Sequence, residues 1–361
     1  MLIKIKAVDT LFFKGGKPFN AGSETIAEGF FPPTPSTLYG ALRGVYWSEH
    51  PDEFRQFIKG KGKIKDITTD LEIEWIYYDL GGIFCYPASL DMYFTDKRKI
   101  EPELHSFKII KNKGNNNLGL SYMFSTDDLE VIEMDNLFIS DLDYYKISIG
   151  ELNNIKGYRL DNYITYEPKT GIARDRWSHS SKEAQLYQVK MNRPHKLDIV
   201  IKFKGLSISN KGILSLGAEG KTAAWTESDY NDTYNEKETL IKKDCNKFKL
   251  IYLSPAIFNN GWLPFNFDDN FEVNFHTKNG NKLKLKLLTA AVGKYSCIGG
   301  WDLVKKRPKP MFKAIPAGSV YYFELLEGKW EDVIDQFHFQ KHTDFYEKEG
   351  YGMTMVGAVN D

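Results

Sequence analysis

The chain has 361 residues, of which 42% are hydrophobic, so it is long enough for two ordinary domains that each bury a core. Its 48 basic and 48 acidic side chains give a formal net charge of zero, which excludes nucleic-acid binding through a general positive field and leaves only local patches. Because the sequence has neither an apolar h-region at its start nor an apolar run as long as a membrane span, we expect a soluble cytoplasmic protein with no membrane partner.

The first predicted element is a strand at residues 2–8, because apolar residues alternate there with lysines. A helix is predicted next, at residues 36–45, after a segment that three prolines hold extended. Ser36 or Thr37 is the predicted cap of this helix. Gly40 and Gly44 lie four residues apart on one side of it, which predicts a close approach to a sheet.

The rest of the chain divides into two halves that each begin with a strand and end in a small-residue loop, a weak internal repeat of an α+β unit. Residues 50–165 are irregular and are predicted to be insertions in the first half. Further strands are predicted at residues 184–191, 197–203, 248–253, 283–287 and 319–323, with a last glycine loop and strand at 350–357. The predicted boundaries are a first domain at 1–225, a linker at 226–245 and a second domain at 246–361.

Charge is unevenly distributed along the sequence. Residues 169–202 contain eight lysines or arginines against three acids, and residues 294–313 contain six against one. Residues 127–151 hold eight acids against one lysine. A single charged run usually marks a solvated face, but two basic runs and one acidic run fit a protein that contacts both RNA and a protein neighbour.

Several short motifs follow one another in order: DTLFF at 9–13, KPF at 17–19, PPTPSTLYGALR at 32–43, GIARDR at 171–176, SPAIF at 254–258, GWLP at 261–264, GWDL at 300–303, PAGSVY at 316–321 and GYG at 350–352. Together they resemble the third subunit of the type III-B CRISPR effector, the Cmr complex, within the repeat-associated (RAMP) superfamily. One departure is the loop at 216–220, which holds fewer glycines than the first glycine loop of that family.

The resemblance implies an α+β fold of two ferredoxin-like (RRM-like) RAMP domains in tandem, with insertions in the first. It implies binding to the repeat-derived 5′ handle of the guide RNA, and docking against the large polymerase-like subunit and the backbone RAMP subunits. Target RNA is then a partner only indirectly. No catalytic role and no cofactor are attached to this subunit in the family.

The predicted helix offers the first candidate site, because a helix N-terminus presents unpaired N–H groups to phosphate and Arg43 can add a bidentate contact. The alternative is that Arg43 pairs with a nearby acid. A second candidate is the segment of Lys169, Arg174, Arg176 and Trp177, which can project to grip or splay guide nucleotides. Its alternative is that Arg176 pairs with Asp175 or another acid to shape the loop.

Glycine loops let an RNA backbone approach peptide N–H groups without a Cβ clash, and Tyr351 between two glycines can stack on a base or else belong to the core. The candidate RNA-binding residues are Ser36, Thr37, Tyr39, Arg43, Lys169, Arg174, Arg176, Trp177, Lys221, Gly350, Tyr351 and Gly352.

Two other functions remain open. A metal-independent endoribonuclease needs a general base, for which His50 and His179 are candidates, although neither lies in a glycine loop. A scaffold that binds only proteins fits the zero net charge. A metal site is not expected, because Cys85, Cys245 and Cys297 form no CxxC pair and the pair of histidines at 338 and 342, which can share a helix face, has no third ligand nearby.

Overall fold

The computed structural model describes residues 1–14, 26–27, 29–60, 64–96, 98–114, 119–132, 136–175, 177–178, 180–229, 236–241, 245–277, 280–302 and 305–359. Within these residues the strands are β1 (Leu2–Ala7), β2 (Ile26–Ala27), β3 (Glu72–Leu80), β4 (Phe84–Pro87), β5 (Met92–Tyr93), β6 (Glu103–Ser106), β7 (Lys108–Lys111), β8 (Tyr122–Ser125), β9 (Leu137–Ser140), β10 (Ile155–Arg159), β11 (Ile164–Arg174), β12 (Ser181–Pro194), β13 (Leu197–Lys204), β14 (Lys211–Ser215), β15 (Thr222–Glu227), β16 (Lys247–Tyr252), β17 (Ala256–Ile257), β18 (Glu272–His276), β19 (Lys282–Ala291), β20 (Ser296–Ile298), β21 (Trp301–Asp302), β22 (Arg307–Pro308), β23 (Phe312–Ile315), β24 (Val320–Glu327) and β25 (Thr354–Ala358).

Helices make up a smaller part of the described chain. The α-helices are α1 (Pro35–Glu49), α2 (Pro51–Lys59), α3 (Asp141–Ser148), α4 (Glu236–Ile241) and α5 (Trp330–Phe337), and short 3-10 helices lie at Ile67–Asp70, Leu160–Asn162 and Glu347–Glu349. Among the described residues none of these helices has the length and apolar character needed to cross a membrane. The fold is therefore mixed α/β and dominated by antiparallel sheets, as the predicted α+β class requires in its broad outline.

The chain forms two compact units that are not contiguous in sequence. The first unit comprises Met1–Gly81, Tyr163–Asp229 and Cys297–Phe312, and the second comprises Gly82–Asn162, Tyr230–Ser296 and Lys313–Asp361. This grouping differs from the contiguous domains predicted at 1–225 and 246–361, since residues 82–162 cluster with the C-terminal half. The predicted linker at 226–245 contains the end of β15 and the short helix α4.

The first unit is built on an antiparallel sheet in the order β14-β15-β1-β13-β3. Ile3 and Ile5 of β1 are buried between the neighbouring strands, while Lys4 and Lys6 alternate with them, so the predicted strand at 2–8 is confirmed. Helix α1 packs beside β14, and its buried residues Leu38, Leu42 and Val45 recur at helical spacing.

The second unit contains an antiparallel sheet in the order β18-β19-β24-β16-β25. Its core includes Phe248, Leu285, Phe323 and Phe337, all fully or almost fully buried. The predicted strands at 248–253, 283–287 and 319–323 correspond to β16, β19 and β24. Burial alternates along the first half of β19, whereas β16 and the first half of β24 are buried at nearly every position.

A buried polar cluster joins residues 82–162 to the C-terminal sheet within this unit. The Asp91 carboxylate lies 2.6 Å from the Lys249 ammonium group and accepts hydrogen bonds from the hydroxyls of Tyr322, at 2.6 Å, and Ser89. The side chains of Lys249 and Asp91 are only 2% and 0% exposed. Because charges buried this deeply must be paired, the cluster explains why residues 82–162, the larger part of the predicted insertions at 50–165, belong to this unit.

Candidate nucleic-acid interface

The strands β11 and β12 form a long antiparallel ribbon in the first unit. Ile164 pairs with Pro194 at one end, and Arg174 pairs with Ser181 at the other, after a register shift beyond Ile172. The successive positions 168, 169 and 170 are all exposed or half-exposed, and successive residues of a strand point to opposite faces. Solvent therefore reaches both faces of β11 at positions 168–170.

The turn between the two strands presents Trp177. The Asp175 carboxylate accepts hydrogen bonds from the backbone N–H groups of Ser178 and Trp177, both at 2.9 Å, and these bonds lower the pKa of Asp175. The Trp177 side chain is 89% exposed. A turn ordered by its own carboxylate thus holds a large aromatic ring in solvent, although burial of such a ring is normally favourable. Of the predicted residues here, Arg176 and the side chain of Arg174 lie outside the described part of the chain, as does His179.

The base of the ribbon is fixed by packing and by ion pairs. Val189 and Met191 are buried against Phe12. Arg193 donates to both carboxylate oxygens of Glu167, at 3.0 Å for one of them, and this contact lowers the pKa of Glu167. The anchored base contrasts with the exposed far end.

Two lysines predicted to bind RNA are paired with acids near this base. The Lys221 ammonium group lies 2.5 Å from the Asp9 carboxylate and is the main cause of the lowered pKa of Asp9, which also lies 3.6 Å from Arg193. Lys169 pairs with Glu219 of the small-residue loop and remains about half exposed. These pairs connect the ribbon to its unit, and a phosphate would have to compete with a carboxylate at each lysine.

Helix α1 is capped earlier in the sequence than predicted. Thr34 is the N-cap, and its hydroxyl accepts a hydrogen bond from the Thr37 N–H at 3.4 Å, so the prediction of Ser36 or Thr37 as cap is wrong. Thr34 is the N-cap because Pro35, which has no N–H group that needs a hydrogen-bond acceptor, occupies the first helical position. Ser36 and Tyr39 are half-buried in the first turns of the helix.

Arg43 has the contacts that the alternative interpretation predicted. Its guanidinium group donates to Thr68 at 2.6 Å and to Asp66 at 2.5 Å, and it lies 5.9 Å from the centre of the Tyr39 ring. Asp66 also caps the 3-10 helix at Ile67–Asp70. Arg43 thus fixes that helix to α1, and its role in binding RNA stays a prediction.

The two helical glycines face a groove instead of a sheet. A Cβ atom built on Gly40 or on Gly44 meets no atom within 4 Å, so these glycines do not serve the close packing that the sequence predicted. The groove has a volume of about 430 Å³ and is bordered by α1, by β14 and by Phe12 to Lys14. Glycine leaves this side of the helix open where any other residue would narrow it.

The loop at 216–220 uses its glycines in two ways. Gly217 has φ of 88°, and a Cβ there would lie 2.8 Å from the Phe12 carbonyl oxygen, so this glycine permits close packing within the unit. Gly220 has φ of 66°, and a Cβ there would meet no atom within 4 Å, so this glycine borders open space.

The C-terminal glycine loop is part of the packed second unit. Tyr351 is fully buried, which matches the core role considered as its alternative. The N–H groups of Gly350 and Gly352 donate to Glu347 and Pro255, at 3.0 and 2.8 Å. These donors are engaged within the protein, so we do not include the three residues in the candidate interface.

The histidines also have structural contacts. Helix α5 ends at Phe337, so His338 and His342 do not share a helix face as the sequence suggested. His342 contacts the Gln336 carbonyl oxygen at 3.0 Å, and burial lowers its pKa to about 4. His50 contacts the Tyr46 carbonyl at 2.9 Å and stacks on the Tyr46 ring. Among the described residues, no three His, Cys, Asp or Glu side chains come together as a metal site would require.

Some exposed cationic and aromatic residues were not among the predicted site residues. The Lys190 ammonium group lies 3.7 Å from the centre of the Tyr166 ring on the ribbon, a cation–π contact. In the second basic run, Trp301 of β21 is 57% exposed and pairs with Pro308 of β22, beside Arg307. The excess of basic residues at 294–313 indicated the segment that contains Trp301, but only the pairing of β21 with β22 places Trp301 near Arg307.

Comparison with known proteins gives one family. Residues 3–359 match the family model described as CRISPR-associated protein (Cas_Cmr3). The chain belongs to this family. The predicted resemblance to the third subunit of the type III-B effector is therefore confirmed, and the chain is a subunit of a type III-B CRISPR complex. No curated protein matches the sequence significantly.

Solved structures share the fold of this Cas_Cmr3 family member. A chain from a cryo-EM structure of the type III-B Cmr-beta bound to cognate target RNA aligns with a TM-score of 0.54 and 20% identity, over 98% of this chain and 96% of that chain. A chain from a second such structure, bound to cognate target RNA and AMPPnP, aligns with a TM-score of 0.50 and 18% identity, over the same shares of both chains. At these identities the likeness shows a shared fold.

Proposed function

We propose that this Cas_Cmr3 family member is a non-catalytic subunit that binds the repeat-derived 5′ handle of the guide RNA and bridges the large polymerase-like subunit to the backbone subunits. One observation carries the RNA-binding part of the proposal. The β11–β12 ribbon exposes both faces of β11 at positions 168–170 and ends in Trp177, 89% exposed, which follows two arginines in the sequence. Single-stranded RNA is held by aromatic stacking platforms combined with cations.

The physical properties of the ribbon suit insertion between nucleotides. Its fixed base lets the turn keep its position without an RNA ligand, and a preorganised element binds with less loss of conformational freedom. Stacking of one base on the exposed indole is worth about 1–3 kcal/mol. The cations along 169–190 then supply the phosphate attraction that the zero net charge of the chain does not provide.

We further propose that each unit contains a ferredoxin-like core. In the first unit β1, β3, β13 and β15 are the first to fourth core strands in chain order. Their order in the sheet is β15-β1-β13-β3, so the fourth strand lies beside the first, and the third lies between the first and the second. In the second unit β25-β16-β24-β19 repeats this order, and every neighbouring pair is antiparallel. This is the strand order of the β-α-β-β-α-β arrangement, although among the described residues the second helix is missing in the first unit and the first helix in the second.

The proposal that the subunit is not catalytic is supported by the contacts of its described histidines. A ribonuclease that activates a 2′-hydroxyl needs an accessible general base. The imidazole of His342 is buried, and His50 is held by Tyr46. RNA with an uncleaved repeat should survive incubation with the protein, and cleavage that disappears in His50→Ala or His179→Ala variants would favour the endoribonuclease function instead.

The RNA-binding part can be tested by comparing two substitutions at one position. We expect Trp177→Ala to weaken binding of handle-containing guide RNA by the reconstituted complex by about 5- to 100-fold, because a stacking platform is lost. Trp177→Phe keeps an aromatic ring and should remain within about threefold of wild type. The affinities are measured by filter binding at two salt concentrations, with a guide of scrambled handle sequence as the reference RNA.

Each other result would change the assignment. Equal affinity of all three proteins would show that the ribbon does not bind the handle. A loss in a Trp301→Ala variant but not in Trp177→Ala would assign RNA binding to the β21–β22 hairpin. Binding of the subunit to its neighbours that is insensitive to salt, without any loss of RNA affinity in either variant, would favour the scaffold that binds only proteins.

A further inference from the structure

The second unit ends on one side in the edge strand β18, which pairs with β19. The Thr277 N–H donates to the Asn281 carbonyl oxygen at 2.9 Å, and the Leu287 N–H donates to the Phe271 carbonyl oxygen at 2.9 Å. In an antiparallel pair, hydrogen-bonded and non-hydrogen-bonded positions alternate. The backbone groups of Glu272, Asn274 and His276 therefore point away from β19, toward the open side of the sheet.

One of these three positions is already paired within the protein. The Glu272 N–H donates to the Asp268 carboxylate at 2.9 Å, and the Glu272 carbonyl oxygen accepts from the Asp268 N–H at 3.0 Å. No other strand in the described part of the chain pairs with β18 on this side. Asn274 and His276 thus leave two donors and two acceptors at an edge that no described strand covers, which is the template for an added strand.

A cleft of about 470 Å³ lies beside the same edge. Leu263, Pro264, Phe265, Val273 and Phe275 supply its apolar lining, with the Phe265 and Phe275 rings in an edge-to-face contact at 4.9 Å. The remaining lining residues are polar: Asn259, Asn260, Asn266, Asn274 and Asp344. Asn274 therefore belongs to both features, since its backbone faces the open edge and its residue lines the cleft.

The charge of the cleft indicates what it can accept. Among the described residues that line it, Asp344 is the one ionisable group, and its carboxylate also accepts the Asn259 N–H at 2.7 Å. Nearby lysines on the outer face of β19, Lys284 and Lys286, lie 2.7 and 3.8 Å from Glu272. A cleft whose described lining offers a carboxylate and side-chain amides but no cation repels phosphate and suits a lysine or arginine side chain.

We propose that the β18 edge and this cleft bind an extended peptide segment of a protein neighbour in the type III-B complex. The segment adds a strand at Asn274 and His276 and places a lysine or arginine side chain beside Asp344. Main-chain hydrogen bonds supply affinity in this mode of recognition, and the cleft supplies specificity. The inference rests on the bridging part of the proposed function and is independent of its RNA-binding part.

Two substitutions at Asn274 separate the edge from the side chain. Asn274→Pro removes the outward N–H but no bond of the β18–β19 ladder, and proline is tolerated on edge strands in this orientation. Asn274→Ala keeps the N–H and removes only the amide. Asp344→Asn removes the charge and keeps the shape of the cleft. Each purified variant is compared with wild type by its thermal unfolding midpoint, and by its affinity for a type III-B complex reconstituted without this subunit.

We expect Asn274→Pro to weaken assembly by at least about tenfold, Asn274→Ala by less than about threefold, and Asp344→Asn by several-fold with a smaller dependence on salt. Hydrogen exchange of the wild-type chain provides a test without variants: amides in 272–277 should slow when the other protein subunits are added without RNA. Equal assembly of the Pro and Ala variants, or unchanged exchange in the assembled complex, would overturn the proposal.

Two other patterns of exchange would also contradict it. Protection of 272–277 by guide RNA alone would assign the edge to RNA, and protection that rises with the concentration of the isolated chain would assign it to a second copy. If the wild-type chain fails to join the other subunits at all, the bridging function fails together with this inference. Assembly with an unprotected edge would refute the inference alone.

Discussion

The Asp91→Asn substitution tests the buried cluster that makes residues 82–162 part of the second unit. Burial raises the pKa of Asp91, but the charge of Lys249 and the hydrogen bonds from Lys249, Ser89 and Tyr322 outweigh it and lower the pKa. At neutral pH the substitution removes this carboxylate charge and leaves the Lys249 ammonium group, 2% exposed, without a counter-ion. Breaking one side of a buried pair costs about 3–5 kcal/mol.

The assay is urea unfolding at pH 7, followed by far-ultraviolet circular dichroism and by tryptophan fluorescence. The control is Asp127→Asn, which removes the carboxylate of the exposed pair with Lys108 in the same unit and should leave the unfolding midpoint unchanged. A double substitution, Asp91→Leu with Lys249→Met, should recover much of the lost stability because no charge stays buried. An Asp91→Asn protein as stable as wild type would refute the proposed role of the cluster.

Three further predictions concern single positions. Gly205→Ala should lower the free energy of unfolding by about 3 kcal/mol, because φ is 75° and the new Cβ would lie 1.8 Å from the Asp70 carbonyl oxygen. Gly220→Ala should lower it by only about 1 kcal/mol, because φ is 66° but the new Cβ would meet open space. Urea unfolding measures both changes. Burial lowers the pKa of His342 to about 4, so the unfolded state binds the proton first as pH falls below 6.5. The free energy of unfolding should therefore drop by about 2 kcal/mol more between pH 7 and pH 5 in the wild-type chain than in a His342→Gln variant. The same dependence of stability on pH in both proteins would contradict this. Trp177→Ala should leave the unfolding midpoint unchanged while lowering the RNA affinity, and a large loss of stability would place the ring in the core instead.

Local patterns predicted the regular elements well. Three predicted patterns each match an observed element: the alternation at 2–8, the helical spacing from Leu38 to Val45 and the lysine–leucine alternation at 283–287. They could be recognised because an element that buries one face repeats apolar residues at its own structural period. The N-cap was misplaced because Pro35 changes which threonine can accept the first N–H groups.

Contacts between residues far apart in the chain could not be predicted from local sequence patterns. Nothing local indicates that Asp91 contacts Lys249, 158 residues later in the chain, so residues 82–162 were expected to be part of the insertions at 50–165 in the first domain. The function of glycines was also ambiguous, because an open groove and a tight packing contact need the same residue. Gly40 and Gly44 border a groove, while Gly217 and Gly352 allow close backbone packing.

The candidate site could be predicted in part. The mixture of basic residues and Trp177 marked the segment at 169–177, but only the structure shows that it forms a strand pair whose positions 168–170 are exposed. The ion pairs of Arg43, Lys169 and Lys221 depend on acids that lie 23 to 212 residues away in sequence, so a list of cations did not distinguish anchored residues from those that remain available.

We propose above all that this chain holds the 5′ end of the guide RNA. The most direct measurement is photo-crosslinking in the reconstituted type III-B complex, using guide RNA with a reactive uridine in its 5′ handle and mass spectrometry of the crosslinked peptides. We expect handle crosslinks in peptides around residues 169–182, which contain Trp177. Handle crosslinks confined to neighbouring subunits would contradict it and leave the chain as a protein scaffold.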